Sequence, residues 1–525
     1  MTPTAPGARV ERVALVAAVL LCAALAWPLR HYVTDDTFIH LQYARNVAEG
    51  RGFVFNPGER VYGSTSPLWV VLLADGIALG GDGLAVARAF GALATLASLV
   101  LWFALMRQTL SSPWLRAAST LAWAGHAWMS RWSLSGMETP LAVALVLAGF
   151  VAFTSGERWG SRPRATSLLW SLAGLVRPEC ALLVLLWALA RVVEEGPIRG
   201  ARRSLAELWP ALLVQGGWLA FASIYFGVAW PNTLAAKAAG GVGLDYHVEQ
   251  FQRQAGIVAA TDGVLVALLL VLLALRFARG GRPALRPALR GLPWAWLAAV
   301  PLLYMVRGVP VLSRYMVPLL PVVGWLAWRT LDRTLAPRPV MTPATDAPAR
   351  WARSNARVVV IGLLLAGVVL AQNVVVWRRV VRPQVDSFSA GLQASLIPWG
   401  RWFHDHAPAD AVIAAPDIGA LGYFARRRVV DLAGLVTPAM VPVLERWPQE
   451  EAVSRFEFAR FSRPGFLVDR AAIAWDLQRR SPWAVALVPL GHAEVPNLGI
   501  ARPDAAVYSF YRIDWAAYDS LAAAH

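Results

Sequence analysis

The chain has 525 residues, of which 57% are hydrophobic and only 16% are charged, and its mean hydropathy is +0.48. Soluble globular domains are about one quarter charged, so this composition excludes an ordinary soluble enzyme. The formal net charge of +16 is better explained by arginines in the cytoplasmic loops of a membrane protein than by nucleic-acid binding. The 25 tryptophans are typical of residues that anchor a protein at the membrane–water interfaces.

Apolar stretches along the chain predict eleven transmembrane helices, because most approach the length needed to cross a hydrocarbon core of roughly 30 Å. They lie at 13–30, 84–106, 114–131, 139–154, 165–177, 179–193, 206–229, 258–277, 292–306, 311–328 and 357–377. A further apolar piece, Pro67 to Leu79, is too short to span and carries Asp75. We expect it to lie flat on the outer surface or to be half-inserted.

The distribution of arginine predicts the topology. With the N-terminus in the cytoplasm, every arginine-rich short loop falls on the inner side, as the positive-inside rule requires. The outer side then receives the long first loop and four later segments, followed by everything after Trp377. These four segments are SGMET at 135–139, RPE at 177–179, WPNTLAAK at 230–237 and RGVPVLSR at 307–314. A multi-pass protein of the bacterial inner membrane is therefore predicted.

The composition changes after Trp377, which predicts two domains, a transmembrane domain at 1–377 and a soluble domain at 378–525. The second contains short apolar runs of strand length, such as AVIAA, RRVVDLAGL and AVALVPL, separated by helix-like stretches. The predicted fold class is an all-α polytopic membrane protein with a small C-terminal α/β domain on the periplasmic side.

The first outer loop opens with two adjacent acids, Asp35 and Asp36. Apolar residues follow at three-residue steps, which predicts a short helix with both acids in its first turn, where free N–H groups favour negative charge. The acids are either helix caps or candidates for a general base. His40 lies four residues after Asp36 on the same helical face and could orient the acid or contact a ligand.

Further along this loop are Tyr43, Glu59 and Tyr62, which are polar and aromatic groups suited to contacts with a sugar. An ordinary interfacial loop would carry the same groups.

Charged groups also stand at the predicted outer ends of later spans. Glu138 opens the span 139–154, and Arg177 and Glu179 flank a proline at a span boundary. Each of them could contribute to a site or form a structural salt bridge or cap.

Two basic residues on the predicted outer side are candidates for binding a phosphate. Arg314, which precedes Tyr315, could hold a phosphate with two N–H groups or extend to lipid headgroups. Lys237, which follows Asn232 in the segment NTLAAK, is the only lysine among 49 basic residues. A compact ammonium group suits a phosphate in a way that a guanidinium does not reproduce.

Together these motifs resemble the GT-C superfamily of membrane glycosyltransferases. The residues that carry the resemblance are DDTFI, YARN, GFVFNPGERVYG and TSPLW in the first loop, followed by SGMET, RPE, NTLAAK and RYMVP. The branch with the terminal arabinofuranosyltransferases of mycobacterial cell walls is closest, and protein O-mannosyltransferases and the lipid A aminoarabinose transferase are more distantly similar. The segment PDIGALGYFARRRVVDLAGL at 416–435 also resembles one found after the last span in that branch. His40 stands where Ser or Thr is usual, and Tyr62 where many relatives have Glu.

The resemblance implies inverting transfer of a sugar from a polyprenyl phosphate to a hydroxyl group of a cell-envelope glycan, lipid or protein. It places the catalytic acid at Asp35 or Asp36, and the phosphate would be bound by Lys237, Arg314 and Arg177. The remaining candidates would bind substrate. They are His40, Tyr43, Glu59, Tyr62, Glu138, Glu179, Asn232 and Tyr315.

Some relatives use a metal ion, and Asp35, Asp36, His40 and Glu138 could bind a divalent ion here, although no spacing requires one. Two other classes of function stay open. One is a secondary transporter, which would usually show repeated halves, and no internal repeat is found. The other is a non-catalytic periplasmic scaffold that binds carbohydrate.

Overall fold

The computed structural model describes residues 6–156, 159–232, 244–279, 288–335, 347–499 and 504–524. Most of the described chain is helical. The helices before the sheet are α1 Pro6–Ala26, α2 Asp35–Ala48, α3 Pro67–Ala78, α4 Gly83–Thr109, α5 Pro113–Ala124, α6 Ala127–Ser133, α7 Thr139–Thr154, α8 Pro163–Val176, α9 Leu182–Glu195, α10 Pro197–Phe226, α11 Leu244–Ala278, α12 Leu292–Val306, α13 Ser313–Met316, α14 Leu320–Leu335, α15 Ala347–Val376, α16 Arg382–Ala394 and α17 Leu396–His406.

Each predicted span coincides with helix, but two are broken. The stretch 114–131 divides into α5 and α6 at Gly125, and the His126 side chain caps α6 by accepting a hydrogen bond from the backbone N–H of Met129. The stretch 311–328 divides into α13 and α14 around Pro318, whose ring cannot continue a helix and whose nitrogen has no hydrogen to donate.

Within the described residues, six helical segments are long and apolar enough to cross a membrane. They are Gly7–Leu29, Gly83–Thr109, Pro197–Phe226, Asp245–Ala278, Ala288–Val306 and Ala356–His406. The chain is therefore a multi-pass membrane protein. The other predicted spans are shorter or more polar, so the total of eleven and the orientation stay predictions. Both α3 and α7 are apolar helices of shorter length.

Several tryptophans lie in the interior of the helical bundle, whereas others such as Trp27 and Trp230 are exposed, so interfacial anchoring by the exposed ones stays a prediction. Phe150 lies 5.1 Å from Trp170 and 5.4 Å from Trp325, measured between ring centroids. The fully buried tryptophans are Trp69, Trp102, Trp170, Trp187, Trp296, Trp325 and Trp328. Large rings suit this place because helices in lipid associate by close packing and not by the hydrophobic effect.

The C-terminal part contains a five-stranded mixed sheet in the order β2-β1-β3-β5-β4, which confirms the predicted small α/β unit. The strands are β1 Val412–Ala415, β2 Arg428–Asp431, β3 Phe466–Ala471, β4 Leu487–Val495 and β5 Ala506–Ile513. β1 pairs in parallel with β2 and β3, and the remaining pairs are antiparallel. The helices of this part are α18 Gly419–Ala425, α19 Val441–Arg446, α20 Gln449–Ser454, α21 Asp476–Arg480 and α22 Trp515–Ala522.

The sheet domain packs directly on α2. The ring of Phe38 lies 5.5 Å from that of Tyr423 and 5.1 Å from that of Phe424, so α2 and α18 share a buried apolar cluster. The chain also continues from α15 into α16 through a single π-helical turn, Trp377–Val381. A boundary between domains at 377 and 378 stays a prediction.

Candidate functional site

The first turn of α2 is capped by Thr34 and not by either acid. Its hydroxyl accepts a hydrogen bond from the backbone N–H of Thr37 at 3.2 Å, and the Thr37 side chain reaches back to the cap. The interpretation of Asp35 and Asp36 as caps is therefore wrong, and both carboxylates reach partners outside their own helix.

Asp35 binds the sheet domain. Its two carboxylate oxygens accept hydrogen bonds from the backbone N–H of Gly419 at 2.9 Å and from that of Ala420 at 2.7 Å. Burial and the nearby charge of Asp417 raise the pKa of Asp35 to about 7, although the two N–H groups act in the opposite direction. Asp417 is itself held by Arg470 and by the hydroxyl of Tyr508 at 2.7 Å.

Asp36 faces the helical bundle instead. One of its carboxylate oxygens lies 2.5 Å from a terminal guanidinium nitrogen of Arg314, a residue 278 positions away in the chain. The Arg314 side chain is only 7% exposed, whereas that of Asp36 is 42% exposed. The structure therefore brings together a partly exposed carboxylate and a buried cation.

A second ion-pair group adjoins the first. Arg177 donates to Glu138 at 2.7 Å and to Glu179 at 2.5 Å, and all three side chains are buried. The Tyr315 ring links the two groups, since the Arg177 guanidinium carbon lies 4.7 Å and that of Arg314 5.3 Å from its centroid.

His40 joins this group through Glu138. Its Nε2 lies 3.4 Å from a carboxylate oxygen of Glu138. Burial alone would raise the pKa of Glu138, but His40 and Arg177 outweigh burial and hold that pKa below its ordinary value. Glu138 therefore remains a carboxylate over the physiological pH range.

Several buried polar atoms in this neighbourhood have no hydrogen-bond partner in the part of the chain that the structure describes. They include Nδ1 of His40, the hydroxyl of Thr139 and Nε of Arg314. Buried polar groups in folded proteins are almost always paired, so such a concentration is typical of a place where water or a polar ligand binds.

Four other predicted substrate-binding residues hold the first loop in place. The Tyr43 hydroxyl donates to the carbonyl of Val61 at 3.1 Å and accepts from the N–H of Gly63 at 3.1 Å. The Tyr62 hydroxyl accepts from Trp218 at 2.6 Å, and the Tyr62 carbonyl accepts from the backbone N–H of Asn232 at 2.8 Å.

Glu59 holds the same loop against the sheet domain. It accepts a hydrogen bond from Arg428 at 2.6 Å and another from Asn56 at 2.8 Å. The Asn56 amide also bonds the N–H and the carbonyl of Val429, as a neighbouring strand would. Roles in sugar binding for Tyr43, Glu59, Tyr62 and Asn232 stay predictions.

Lys237 lies outside the described residues. Within the described ranges, no three His, Cys, Asp or Glu side chains are grouped so that they could hold a metal ion. One of the four residues that could bind a divalent ion, Asp35, instead accepts hydrogen bonds from the backbone N–H groups of Gly419 and Ala420.

Gly419 is a site residue that the sequence reasoning missed. A Cβ atom at this position would lie 1.9 Å from the carbonyl oxygen of Asp35, so only glycine permits this approach. The glycines of the segment PDIGALG were the available signal, but nothing local indicated their partner.

Comparison with known proteins is consistent with this arrangement. A family described as a domain of unknown function, DUF8728, matches residues 387–513. Over 228 residues the chain is 31% identical to the terminal beta-(1->2)-arabinofuranosyltransferase of Mycobacterium tuberculosis. That match covers 40% of this chain and 36% of the mycobacterial protein, so the chain spans about a third of the length of this relative.

Solved structures share the architecture at low sequence identity. ArnT from Cupriavidus metallidurans bound to undecaprenyl phosphate aligns with a TM-score of 0.54 at 14% identity, over 95% of this chain and 97% of that one. The arabinofuranosyltransferase AftD from Mycobacteria aligns with a TM-score of 0.50 at 20% identity, over 95% of this chain and 41% of that one. The chain has the GT-C fold. The resemblance in the first-loop and later motifs is thereby confirmed.

Replacing Gly419 by Ala tests how closely α2 and the sheet domain must approach. The added methyl group would overlap the Asp35 backbone, and overpacking of this kind costs about 1–3 kcal/mol. We expect a lower thermal unfolding midpoint in detergent. Gly465→Ala in the same domain is the control, because a Cβ there meets nothing within 4 Å. Equal midpoints for the two variants would contradict the close approach.

The stability of the packing around Asp35 should depend on pH. Because burial and the charge of Asp417 raise the pKa of Asp35 from 3.8 to about 7, folding stability is greatest below about pH 3.8 and falls as the pH rises to about 7. Hydrogen–deuterium exchange of 419–425, corrected for intrinsic rates, should therefore show less protection at pH 8 than at pH 5. Asp35→Asn should remove this difference. An unchanged pH dependence in that variant would refute the assignment.

Proposed function

We propose that the chain is a GT-C membrane glycosyltransferase that moves a sugar from a polyprenyl-phosphate donor to a hydroxyl acceptor. The reaction would take place at the outer face of the bacterial inner membrane. The observation that carries the proposal is the pairing of accessible Asp36 with buried Arg314, two opposite charges contributed by distant parts of the chain. Two comparisons support the proposal. The mycobacterial relative is named as an arabinofuranosyltransferase, and the structure of ArnT was solved with bound undecaprenyl phosphate.

In the proposed reaction Asp36 acts as the general base. It takes the proton of the acceptor hydroxyl, whose oxygen then forms a bond to the anomeric carbon of the sugar. The bond between that carbon and the phosphate oxygen breaks, and its electron pair leaves with the lipid phosphate. A single displacement inverts the anomeric configuration, and its transition state has oxocarbenium character.

Asp36 suits this role better than Asp35. Both carboxylate oxygens of Asp35 already accept backbone hydrogen bonds from the sheet domain, so Asp35 positions α2. A general base needs a lone pair within hydrogen-bond reach of the substrate, and the partial exposure of Asp36 provides access.

The leaving phosphate gains negative charge in the transition state and needs cations nearby. Arg314 and Lys237 are the proposed phosphate ligands. Arg177 would reach a phosphate only by exchanging its contacts with Glu138 and Glu179, so we assign it mainly to holding Glu138 and the Tyr315 ring in place.

The sugar would form hydrogen bonds with the buried polar atoms near Asp36 that lack a partner in the described part of the chain. In this proposal His40, Glu138, Glu179 and Tyr315 line the sugar site. Tyr43, Glu59, Tyr62 and Asn232 shape the loop that bounds it. An arabinofuranosyl donor is the first to test, because the mycobacterial relative carries that sugar in its name. Membrane lipids and a cell-envelope acceptor would be the natural partners.

Replacement of Asp36 by Asn tests the base. We expect sugar transfer to fall by about 100-fold or more, since general-base catalysis contributes roughly that much. The measurement is transfer from a polyprenyl-phosphate sugar in proteoliposomes. Asp75→Asn is the control, because Asp75 is an exposed acid on α3. Transfer at the normal rate in Asp36→Asn would refute the assignment, and no transfer by the natural protein from any such donor would refute the function.

Single cysteines test the proposed orientation. Arg60→Cys and Arg446→Cys should react with a membrane-impermeant thiol reagent in intact spheroplasts. Arg199→Cys should react only after permeabilisation, because the arginine-rich loops face the cytoplasm. All three arginines are exposed, and the native Cys22 and Cys180 are buried, so the background should be low. The reverse labelling pattern would contradict the topology.

A further inference from the structure

We propose that His40 is the final acceptor of the proton that Asp36 removes from the acceptor hydroxyl. This inference rests on the proposed function and adds a second step to it. The proton would pass from the acceptor oxygen to the Asp36 carboxylate and from there, through a bridging water, to Nδ1 of His40, which has no direct partner among the described residues. The resulting imidazolium would be stabilised by the Glu138 carboxylate and would release its proton to water after the sugar has left.

Helix geometry places His40 next to Asp36. The two residues are four positions apart on α2, so their side chains lie on one face with Cβ atoms about 6 Å apart. Side chains in a helix also lean towards its N-terminus, and the imidazole therefore leans towards the turn that carries Asp36.

The surroundings of the imidazole fix which nitrogen can accept a proton. Nε2 lies 3.4 Å from a carboxylate oxygen of Glu138, and this contact favours the tautomer that carries its hydrogen on Nε2. Nδ1 is then the acceptor. It is buried and has no partner in the described part of the chain, while His40 as a whole is only 7% exposed. A histidine with a purely structural role would normally use both nitrogens.

Glu138 is held in the position that this role requires. Arg177 binds its other oxygen at 2.7 Å, and Glu179 binds Arg177 in turn. A carboxylate behind an imidazole orients the ring and stabilises the imidazolium that forms, as the aspartate of a Ser-His-Asp triad does. Because the pKa of Glu138 is held below its ordinary value, this negative charge persists throughout the working pH range.

The contact with Arg314 favours transfer of the proton from Asp36 to a second acceptor. A guanidinium at 2.5 Å stabilises the ionised Asp36 carboxylate, so passing the captured proton onward restores this ion pair. Asp36 can orient the hydroxyl and take the proton in the transition state, and a neighbouring base can then receive it. Among the described residues, the charged and titratable groups of the network that includes His40 are Asp35 and Asp36 on its own helix, Glu138 before α7, Arg177 and Glu179 around the start of α9, and Arg314 and Tyr315 on α13.

Substitution of His40 by Gln gives the decisive measurement. In the natural protein, we expect kcat to fall in acid, because an imidazolium cannot accept a proton. His40→Gln should lower kcat by roughly 10- to 100-fold and abolish this acid limb, whereas a residue that only lines the sugar site would leave the acid limb in place. His31→Gln is the control, since His31 is an exposed histidine paired with Asp386, and it should keep both the rate and the acid limb.

Chemical rescue separates proton transfer from a structural role. His40→Ala should recover activity when imidazole is added, whereas Asp36→Asn should not respond. If His40→Gln keeps the natural rate and acid limb, or if His40→Ala is inactive and imidazole does not restore it, the inference is wrong. If Asp36→Asn abolishes transfer while His40→Gln keeps the natural rate and acid limb, the proposed function is supported and only the proposed role of His40 is wrong.

Discussion

The two consecutive carboxylates in the first turn of α2 bind different partners, and the arrangement of this site follows from that division. Neighbouring residues on an α-helix point about 100° apart, because there are 3.6 residues in each turn. Asp35 therefore faces the sheet domain and Asp36 faces the helical bundle. α2 lies where the two parts of the chain meet, and the direction in which Asp36 points depends on how firmly Asp35 is held.

Because the C-terminal region binds Asp35, it helps to position α2. Residues 387–513 match a domain of unknown function, and in this structure the region supplies the backbone N–H groups that bind Asp35 and the strand edge that binds Asn56. Both contacts end on the first loop. We therefore regard the sheet domain as a support for the candidate site.

The buried charges are arranged so that none of the assigned guanidinium groups is isolated. Removing an ion from water costs several kcal/mol even after relaxation, and removing one partner of a buried pair typically costs about 3–5 kcal/mol. Arg177 is neutralised by two buried carboxylates, those of Glu138 and Glu179. Arg314 pairs with the Asp36 carboxylate, which is partly exposed. Because a substrate could reach Asp36 more easily than Glu138, the first pair suits binding and chemistry, and the second suits the maintenance of geometry.

The sequence alone was sufficient for the membrane class, the positions of the apolar helices, the sheet domain and the motifs shared with GT-C proteins. These properties depend on residues that are close together in the sequence, because neighbouring residues determine hydropathy and helical or strand periodicity. Local patterns also marked the first-loop acids as the residues of greatest interest. They could not show that Thr34 is the cap, that Gly419 must lack a side chain, or that several tryptophans lie inside the bundle.

Only the tertiary structure decided which acid faces which partner. Asp35 and Gly419 are 384 positions apart, and Asp36 and Arg314 are 278 positions apart. Contacts over such distances depend on how whole helices and strands pack, and no periodicity in the sequence encodes that packing. The sequence determined which groups were available, and the fold determined which of them meet, because the direction of a side chain is set by the packing of the helix that carries it.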